Sequence, residues 1–264
     1  MTAKTLLIIN PNSSKSVTDN LEQILKPIPE IEFQFFTGPS SAPPEIDGPE
    51  TSHQSTEACF PILKEKYLGR FDGYLVCCYS DHPLIYKLRE VTTKPVLGIF
   101  QATMLYSLAY AGSAYKFAIL TSTSSWEKIL DDAILDFLYG PSGKRLNFSS
   151  LPLLGYLQDP LSTAANYILN LFTDSSRSLP SFCLPTVAAN VNVLELRDPA
   201  KFEGLKKKVQ KLVDEGAKII LLGCAGLSGL DVQFKDVFPG IKFVDSVAVG
   251  VELLSGLARF DSES

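Results

Sequence analysis

Short apolar runs recur along the chain, and each gives way to a stretch whose apolar positions fall three or four residues apart. Unbroken runs alternating with helical faces are the pattern of a βα-type parallel sheet. The runs predict strands at 5–9, 32–36, 73–77, 95–99, 116–120, 218–222 and 242–244. Several lack polar-apolar alternation, as expected of strands covered by helices on both faces. Val17, Leu21, Ile24 and Leu25 share one helical face, which has to end before Pro27. A second helix is predicted over 84–91, and Ser124-Ser125-Trp126-Glu127 fits a capping box opening the helix of Ile129, Ala133 and Ile134. Leu161, Ala165, Ile168, Leu169 and Phe172 repeat at helical spacing. So do Phe202, Leu205, Val209, Leu212 and Val213, with Gly216 placed as a terminator. The last helix is predicted over 247–257. Pro39, Pro43, Pro44 and Pro49 make residues 38–49 a long extended loop, and the glycines, prolines and serines of 140–152 read as a surface insertion. No internal repeat is visible in the residues, yet strand, polar loop, helix, then strand, cysteine, helix occurs once in each half.

A chain of 264 residues is long enough for one large α/β domain or two smaller ones. With 45% hydrophobic and 20% charged residues it has a globular composition, not a disordered one. The net charge of −5 argues against nucleic acid as a partner, since a phosphate-binding face needs excess Lys and Arg. Lys206-Lys207-Lys208 is the basic cluster, and it reads as the solvated face of a helix. No stretch has the length of a membrane span and no signal-peptide pattern precedes the first strand, so a cytoplasmic protein is expected, with the nucleus as the eukaryotic alternative. The odd number of cysteines, Cys59, Cys77, Cys78, Cys183 and Cys224, is a poor disulfide framework and reads as thiols. With only His53 and His82, most zinc patterns are out of reach. Any chemistry has to come from thiols, hydroxyls, amides and backbone.

Two turns carry candidate thiols. Gly73-Tyr74-Leu75-Val76-Cys77-Cys78-Tyr79-Ser80-Asp81-His82-Pro83 runs from an apolar strand into polar residues and a helix, and Ile219-Ile220-Leu221-Leu222-Gly223-Cys224-Ala225-Gly226 ends a strand at a cysteine followed by small residues. Ligands of open parallel sheets bind outside the carboxyl ends of the strands, where both thiols fall. A helix N-terminus beside each is expected to favour the thiolate. The plain alternative is that a strand-end cysteine is a small buried hydrophobe. That reading fits Cys59, Cys183 and Cys77, the last pointing away from Cys78 by strand alternation. Gly223, Gly226 and Gly229 have the wrong spacing for a dinucleotide loop. Cys78 and His82 could form a Cys–His pair, but His82 sits in the turn before Pro83.

Asn10-Pro11-Asn12-Ser13-Ser14 after the first strand resembles the opening motif of hydantoin and allantoin racemases. Cys78-Tyr79-Ser80-Asp81 resembles the first cysteine motif of the aspartate/glutamate/hydantoin racemase superfamily, Leu222-Gly223-Cys224-Ala225-Gly226-Leu227 its second, and Asp245-Ser246-Val247 the motif opening its final helix. The resemblance spans nearly the whole chain except 140–152. It implies an α/β fold of two pseudo-symmetric lobes, each a mostly parallel sheet flanked by helices, with the active site in the cleft between them. Lobe I would hold 1–112 and 246–264 with Cys78, and lobe II 113–245 with Cys224. No cofactor and no metal is implied, and the partner is a small-molecule substrate, with no membrane; lobed enzymes of this kind often form homo-oligomers. Ser13 stands where the family more often has threonine, and Tyr79-Ser80 replaces Phe-Gly or Phe-Asp, which bears on the substrate.

Racemisation removes a proton from one face of a carbon and returns one to the other, which a thiolate and a thiol on opposite faces accomplish by swapping states. An ordinary cysteine is only about 3% thiolate at pH 7, a cost of about 2 kcal/mol. A helix N-terminus supplies about 0.3–1 kcal/mol, so hydrogen bonds have to add to it. Ser80 and the amides after Cys224, in Ala225 and Gly226, are candidates. Asn12, Ser13, Thr121 and Ser122 lie at strand ends and could hold a developing enolate, although each could equally be a helix cap. Ser41 resembles a substrate-loop serine of the family. Ala225-Gly226 stands where relatives acting on free aspartate or glutamate have threonine, which favours a neutral ring such as allantoin or a 5-substituted hydantoin. Alternatives on the same scaffold are a maleate-type isomerisation, a decarboxylation, or ligand binding without catalysis.

Overall fold

The computed structural model describes residues 3–110, 115–140, 178–190 and 199–261. The expected insertion at 140–152, beyond its first residue, and the helix of Leu161 to Phe172 lie outside them. In the first half the chain runs β1 (Lys4–Asn10), α1 (Lys15–Ile24), β2 (Ile31–Thr37), α2 (Pro49–Lys66), β3 (Gly73–Val76), α3 (Pro83–Arg89), β4 (Val96–Gly98) and α4 (Ile99–Leu108). The second half runs β5 (Lys116–Thr121), α5 (Ser125–Tyr139), β6 (Val187–Ala188), α6 (Pro199–Asp214), β7 (Ala217–Gly223), α7 (Asp231–Val237), β8 (Lys242–Asp245) and α8 (Ser246–Phe260). The strands form two parallel sheets of four, ordered β2-β1-β3-β4 and β6-β5-β7-β8. The second order repeats the first with every strand number raised by four. Each half is therefore the same βα unit, a repeat carried by topology and not by matching residues.

Leu6, Leu7, Ile8 and Ile9 of β1 are all fully buried, as are Ile219, Ile220, Leu221 and Leu222 of β7. Their alternate faces go to different cores. Leu7 and Ile9 pack with Leu63, Leu84 and Leu88 beneath α2 and α3. Ile220 and Leu222 pack with Leu205, Val209, Leu212 and Phe234 beneath α6 and α7. Leu6 and Ile8 join Ile219 and Leu221 in one continuous core, filled by Phe100 of α4, Leu130 and Ile134 of α5, and Val247, Val251 and Leu254 of α8. One face of each sheet thus turns toward the other, which is why these strands read as unbroken apolar runs. The turns after β1, β3, β5 and β7 carry Asn12 and Ser13, Cys78, Ser122 and Cys224 in that order.

Three expectations need correction, and one short strand was not foreseen. Ser124 does not cap α5 with its side chain, and the Glu127 carboxylate accepts from the Ala188 amide (2.8 Å) instead of reaching back to the helix start. Tertiary bonding to the edge strand β6 overrides the capping box. Pro49, read as the end of the proline-rich loop, is the first residue of the 18-residue helix α2, a position where a missing N–H costs nothing. Ile99, read as strand, opens α4, whose residues Ile99 to Met104 are all buried, so no amphipathic period marks the helix. The two-residue strand β6 is too short to leave a pattern. Gly216 does terminate α6, at φ 99°. No helix among the described residues is long and apolar enough to cross a membrane.

The outer core of the second lobe turns on Phe234, which is fully buried, stacks on Phe243 (4.9 Å between centroids) and lies 5.1 Å from Phe202. Phe234→Ala is expected to lower unfolding stability by about 3–5 kcal/mol, read from urea denaturation curves.

Candidate active site

The turn after β1 carries the candidates Asn12 and Ser13. Asn10 is buried, donating through Nδ2 to the Ser14 carbonyl (3.0 Å) and the Thr18 hydroxyl (3.1 Å), while its Oδ1 accepts from the Asn12 amide (3.2 Å). Asn12 in turn accepts at Oδ1 from the Ser14 amide (3.0 Å). The Ser13 amide donates to the Pro43 carbonyl (3.0 Å), drawing the proline-rich loop over the turn. A Cβ on Gly38 would lie 2.8 Å from the Pro11 and Asn12 carbonyl oxygens, so only glycine lets this loop approach so closely. Ser41 is exposed on that loop.

Cys78 follows β3 and is half-buried, with its sulfur 3.3 Å from the Ser80 hydroxyl. Cys77 turns into the core, as strand alternation required, and Cys59 and Cys183 are buried as well. Cys224 follows β7, is also half-buried, and opens the 3₁₀ turn Ala225–Leu227 with its sulfur accepting from the Gly226 amide (3.4 Å). β5 pairs with β7 so that Thr121 faces Gly223 and its hydroxyl donates to the Gly223 carbonyl (3.2 Å). The next residue, Ser122, falls beside Cys224 by this register, and its hydroxyl pulls that thiol down. Of the sequence candidates, Cys78 and Ser80 therefore meet Cys224, Gly226 and Ser122 in one place. Thr121 serves the strand end, Asn12 and Ser13 shape the adjoining turn, and Ala225 lies within the 3₁₀ turn. Ser41 is not among the groups that act on either sulfur.

The two sulfurs feel each other electrostatically although they belong to different lobes. Their neighbours in the chain explain the approach. Tyr79 lays its ring against Gly223, where an added Cβ would come within 3.1 Å of the ring, 3.2 Å of the Leu120 carbonyl oxygen and 2.5 Å of Ile119. The Tyr79 hydroxyl donates to Thr103 (2.9 Å), itself bonded to the Phe100 carbonyl, and the ring meets Phe100 edge-on at 5.7 Å. Each cysteine turn is also pinned to the helix beyond the next strand. Asp81 accepts from the Gln101 amide of α4 (2.6 Å) and from the Tyr86 hydroxyl (2.7 Å). Asp245 accepts from Ser228 and the Gly229 amide on one side and from the Val247 and Ala248 amides of α8 on the other, all within 3.0 Å.

The expected helix-dipole activation of the thiols is not what the structure provides. α3 begins at Pro83, beyond Ser80, Asp81 and His82, and Cys224 meets only a three-residue turn. Burial pushes Cys78 up to about 12, with the Ser80 hydroxyl pulling it down and Cys224 pushing it further up. Burial also raises Cys224, against the Gly226 and Leu227 amides and the Ser122 hydroxyl, while the Glu45 carboxylate raises it. Glu45 belongs to the proline-rich loop of the first lobe, and nothing in its sequence surroundings pointed to it. His82 does not pair with Cys78. It is fully buried, its Nδ1 accepts from the Leu84 amide (3.2 Å), and burial holds it down to about 3.

The profile of the Asp/Glu/Hydantoin racemase family matches residues 6–145 and 175–254. The chain belongs to this family. Protein DCG1 of Saccharomyces cerevisiae is 30% identical over 97% of this chain and 96% of its own length. A hydantoin racemase of Rhizobium meliloti is 23% identical over 95% of this chain and 87% of its own. The allantoin racemase structure from Pseudomonas fluorescens superposes with a TM-score of 0.68 at 22% identity, covering 97% of this chain and 92% of that one.

Ser80→Ala removes the hydroxyl that favours the Cys78 thiolate, so iodoacetamide labelling of Cys78 at pH 8, located by peptide mass spectrometry, is expected to slow about three- to tenfold. Cys78 and Cys59 both sit near 12 in the folded chain, above the unfolded value of about 8.5. They stabilise the fold fully below about pH 8.5, and that contribution is lost as pH rises toward 12. Denaturation midpoints measured at pH 7, 9 and 10.5 are expected to fall in that order.

Proposed function

We propose that the protein is a cofactor-independent racemase inverting the carbon beside a carbonyl in a neutral ring, such as allantoin or a 5-substituted hydantoin. The observation that carries this reading is the approach of two half-buried sulfurs, Cys78 and Cys224, from opposite lobes of one cleft. The substrate lies between them. One sulfur, as thiolate, takes the proton from the facing side of the ring carbon and becomes a thiol. The other, as thiol, delivers its proton to the opposite face and becomes a thiolate, so the next turnover runs in reverse. Mutual repulsion disfavours two thiolates at once, so that no more than one sulfur ionises. A sulfur with a raised pKa is a stronger base once ionised, which suits a weakly acidic C–H. The Ser80 and Ser122 hydroxyls and the Gly226 amide offset part of the ionisation cost.

A neutral ring suits the surroundings of Cys224. The Glu45 carboxylate, exposed on the proline-rich loop, raises Cys224 and adds negative charge on that side of the site, which disfavours a substrate carboxylate. The same feature disfavours maleate-type isomerisation or decarboxylation of a diacid. The hydantoin and allantoin racemases among the similar proteins support the choice of ring.

Purified protein is expected to abolish the optical rotation of each pure enantiomer of allantoin or 5-methylhydantoin and to introduce solvent deuterium at the ring carbon. Absence of exchange with every such ring would overturn the proposal. Cys78→Ser and Cys224→Ser are each expected to lower the rate about 10²–10⁴-fold, and full activity in either variant would remove that sulfur from the mechanism. Glu45→Gln is expected to shift preference about tenfold toward 5-carboxymethylhydantoin relative to 5-methylhydantoin, measured as a ratio of kcat/KM values.

A further inference from the structure

Asn190 is one of two non-glycine residues with positive φ among the described residues, at 51°. Left-handed backbone is strained for most side chains and is best tolerated by asparagine and aspartate after glycine. The residue follows β6, where the chain runs along the end of β5. The Ala189 amide donates to the Thr121 carbonyl (2.7 Å), and the Asn190 amide donates to the Ser122 carbonyl (2.7 Å). The left-handed turn then swings the Asn190 side chain back, and its Oδ1 accepts from the Ser124 amide (3.0 Å). The segment from Thr121 to Ser124 is thereby latched on both sides of Ser122. Ser124, freed from capping α5, is the residue that receives this latch.

Ser122 follows Thr121 at the end of β5, and its hydroxyl pulls the Cys224 thiol down. The register of β5 on β7 places Thr121 opposite Gly223, which sets Ser122 beside Cys224, but register alone leaves the loop beyond β5 free to turn away. We propose that Asn190 is a positioning residue, locking the loop after β5 so that Ser122 stays beside Cys224. The first lobe has no matching side chain. There, Gly38 makes the equivalent bonds with its amide alone, to the Asn10 and Asn12 carbonyls (both 2.9 Å), and the hydroxyl beside Cys78 comes from Ser80 on the cysteine's own turn. The two sulfurs are thus served by hydroxyls held in different ways, and a change at Asn190 acts on one of them.

The proposal rests on Cys224 being a proton-transfer group, yet thiol labelling tests it without turnover. Asn190→Gly keeps the backbone angle and the amide donor and removes only the side-chain acceptor. The pH profile of iodoacetamide labelling at Cys224 is expected to move upward, with labelling at pH 8 slowed about three- to tenfold while Cys78 stays within about twofold. Ser122→Ala is expected to reproduce the shift, and adding Asn190→Gly to Ser122→Ala is expected to change the Cys224 profile no further, as required of a residue that acts through another. In the racemase assay kcat/KM is expected to fall equally for the two enantiomers, because their equilibrium constant is one. An unchanged Cys224 profile, equal slowing at both cysteines, or additive effects in the double variant would overturn the positioning role. Failure of the wild-type protein to exchange ring protons would overturn the racemase reading instead, leaving the labelling result to decide this one.

Discussion

The contact between Tyr79 and Gly223 is the constraint on which the site depends. Tyr79 directly follows Cys78 and Gly223 directly precedes Cys224, so docking one against the other brings two sulfurs from separate sheets to a common cleft. The approach is close enough that the smallest side chain would not fit between the ring, Ile119 and the Leu120 carbonyl. Tyr79 cannot drift, because its hydroxyl is tied to Thr103 and its ring is braced by Phe100. Both supports belong to α4, whose uniformly buried residues join the core shared by the two sheets. The geometry of the cleft is therefore inherited from the packing of that shared core.

Around this contact the two halves solve the same mechanical problem with opposite polarity. Each cysteine turn has to be held against the helix that follows the fourth strand of its sheet. In the first half the acid is on the turn and the amide on the helix, as Asp81 and Gln101. In the second half the acid is at the helix start and the donors on the turn, as Asp245 with Ser228 and Gly229. A scaffold repeated twice with independent fastenings would suit the proposed racemisation, since each thiol can be tuned separately.

Burial dominates the electrostatics. Both sulfurs are raised by desolvation, and hydroxyls and turn amides oppose that shift without cancelling it. The helix dipole has little part, because no α-helix starts at either cysteine. The resting site favours thiols, so ionisation of one sulfur is a step that binding and local hydrogen bonds have to assist.

The amino-acid sequence by itself determined the alternation of strands and helices, the positions of the seven longer strands, and the two strand-end cysteines. These are local properties: an unbroken apolar run, a helical spacing, a glycine at a helix end. It also pointed to Ser80 and the Gly226 amide as donors near the sulfurs, because residues so near a strand end stay near it when folded. The tertiary structure decided the rest. Ile99 to Met104 form a helix because both sheets bury them, a fact that no period records. Ser124 and Glu127 abandon the capping box because Asn190 and Ala188 offer better-placed partners far along the chain. Glu45 acts on Cys224 from a loop of the other half, and Asn190 reaches the loop after β5 only through the packing of an edge strand on β5. Their contacts span long stretches of chain, and a distance of that kind is set by how the elements dock, not by what any segment prefers alone.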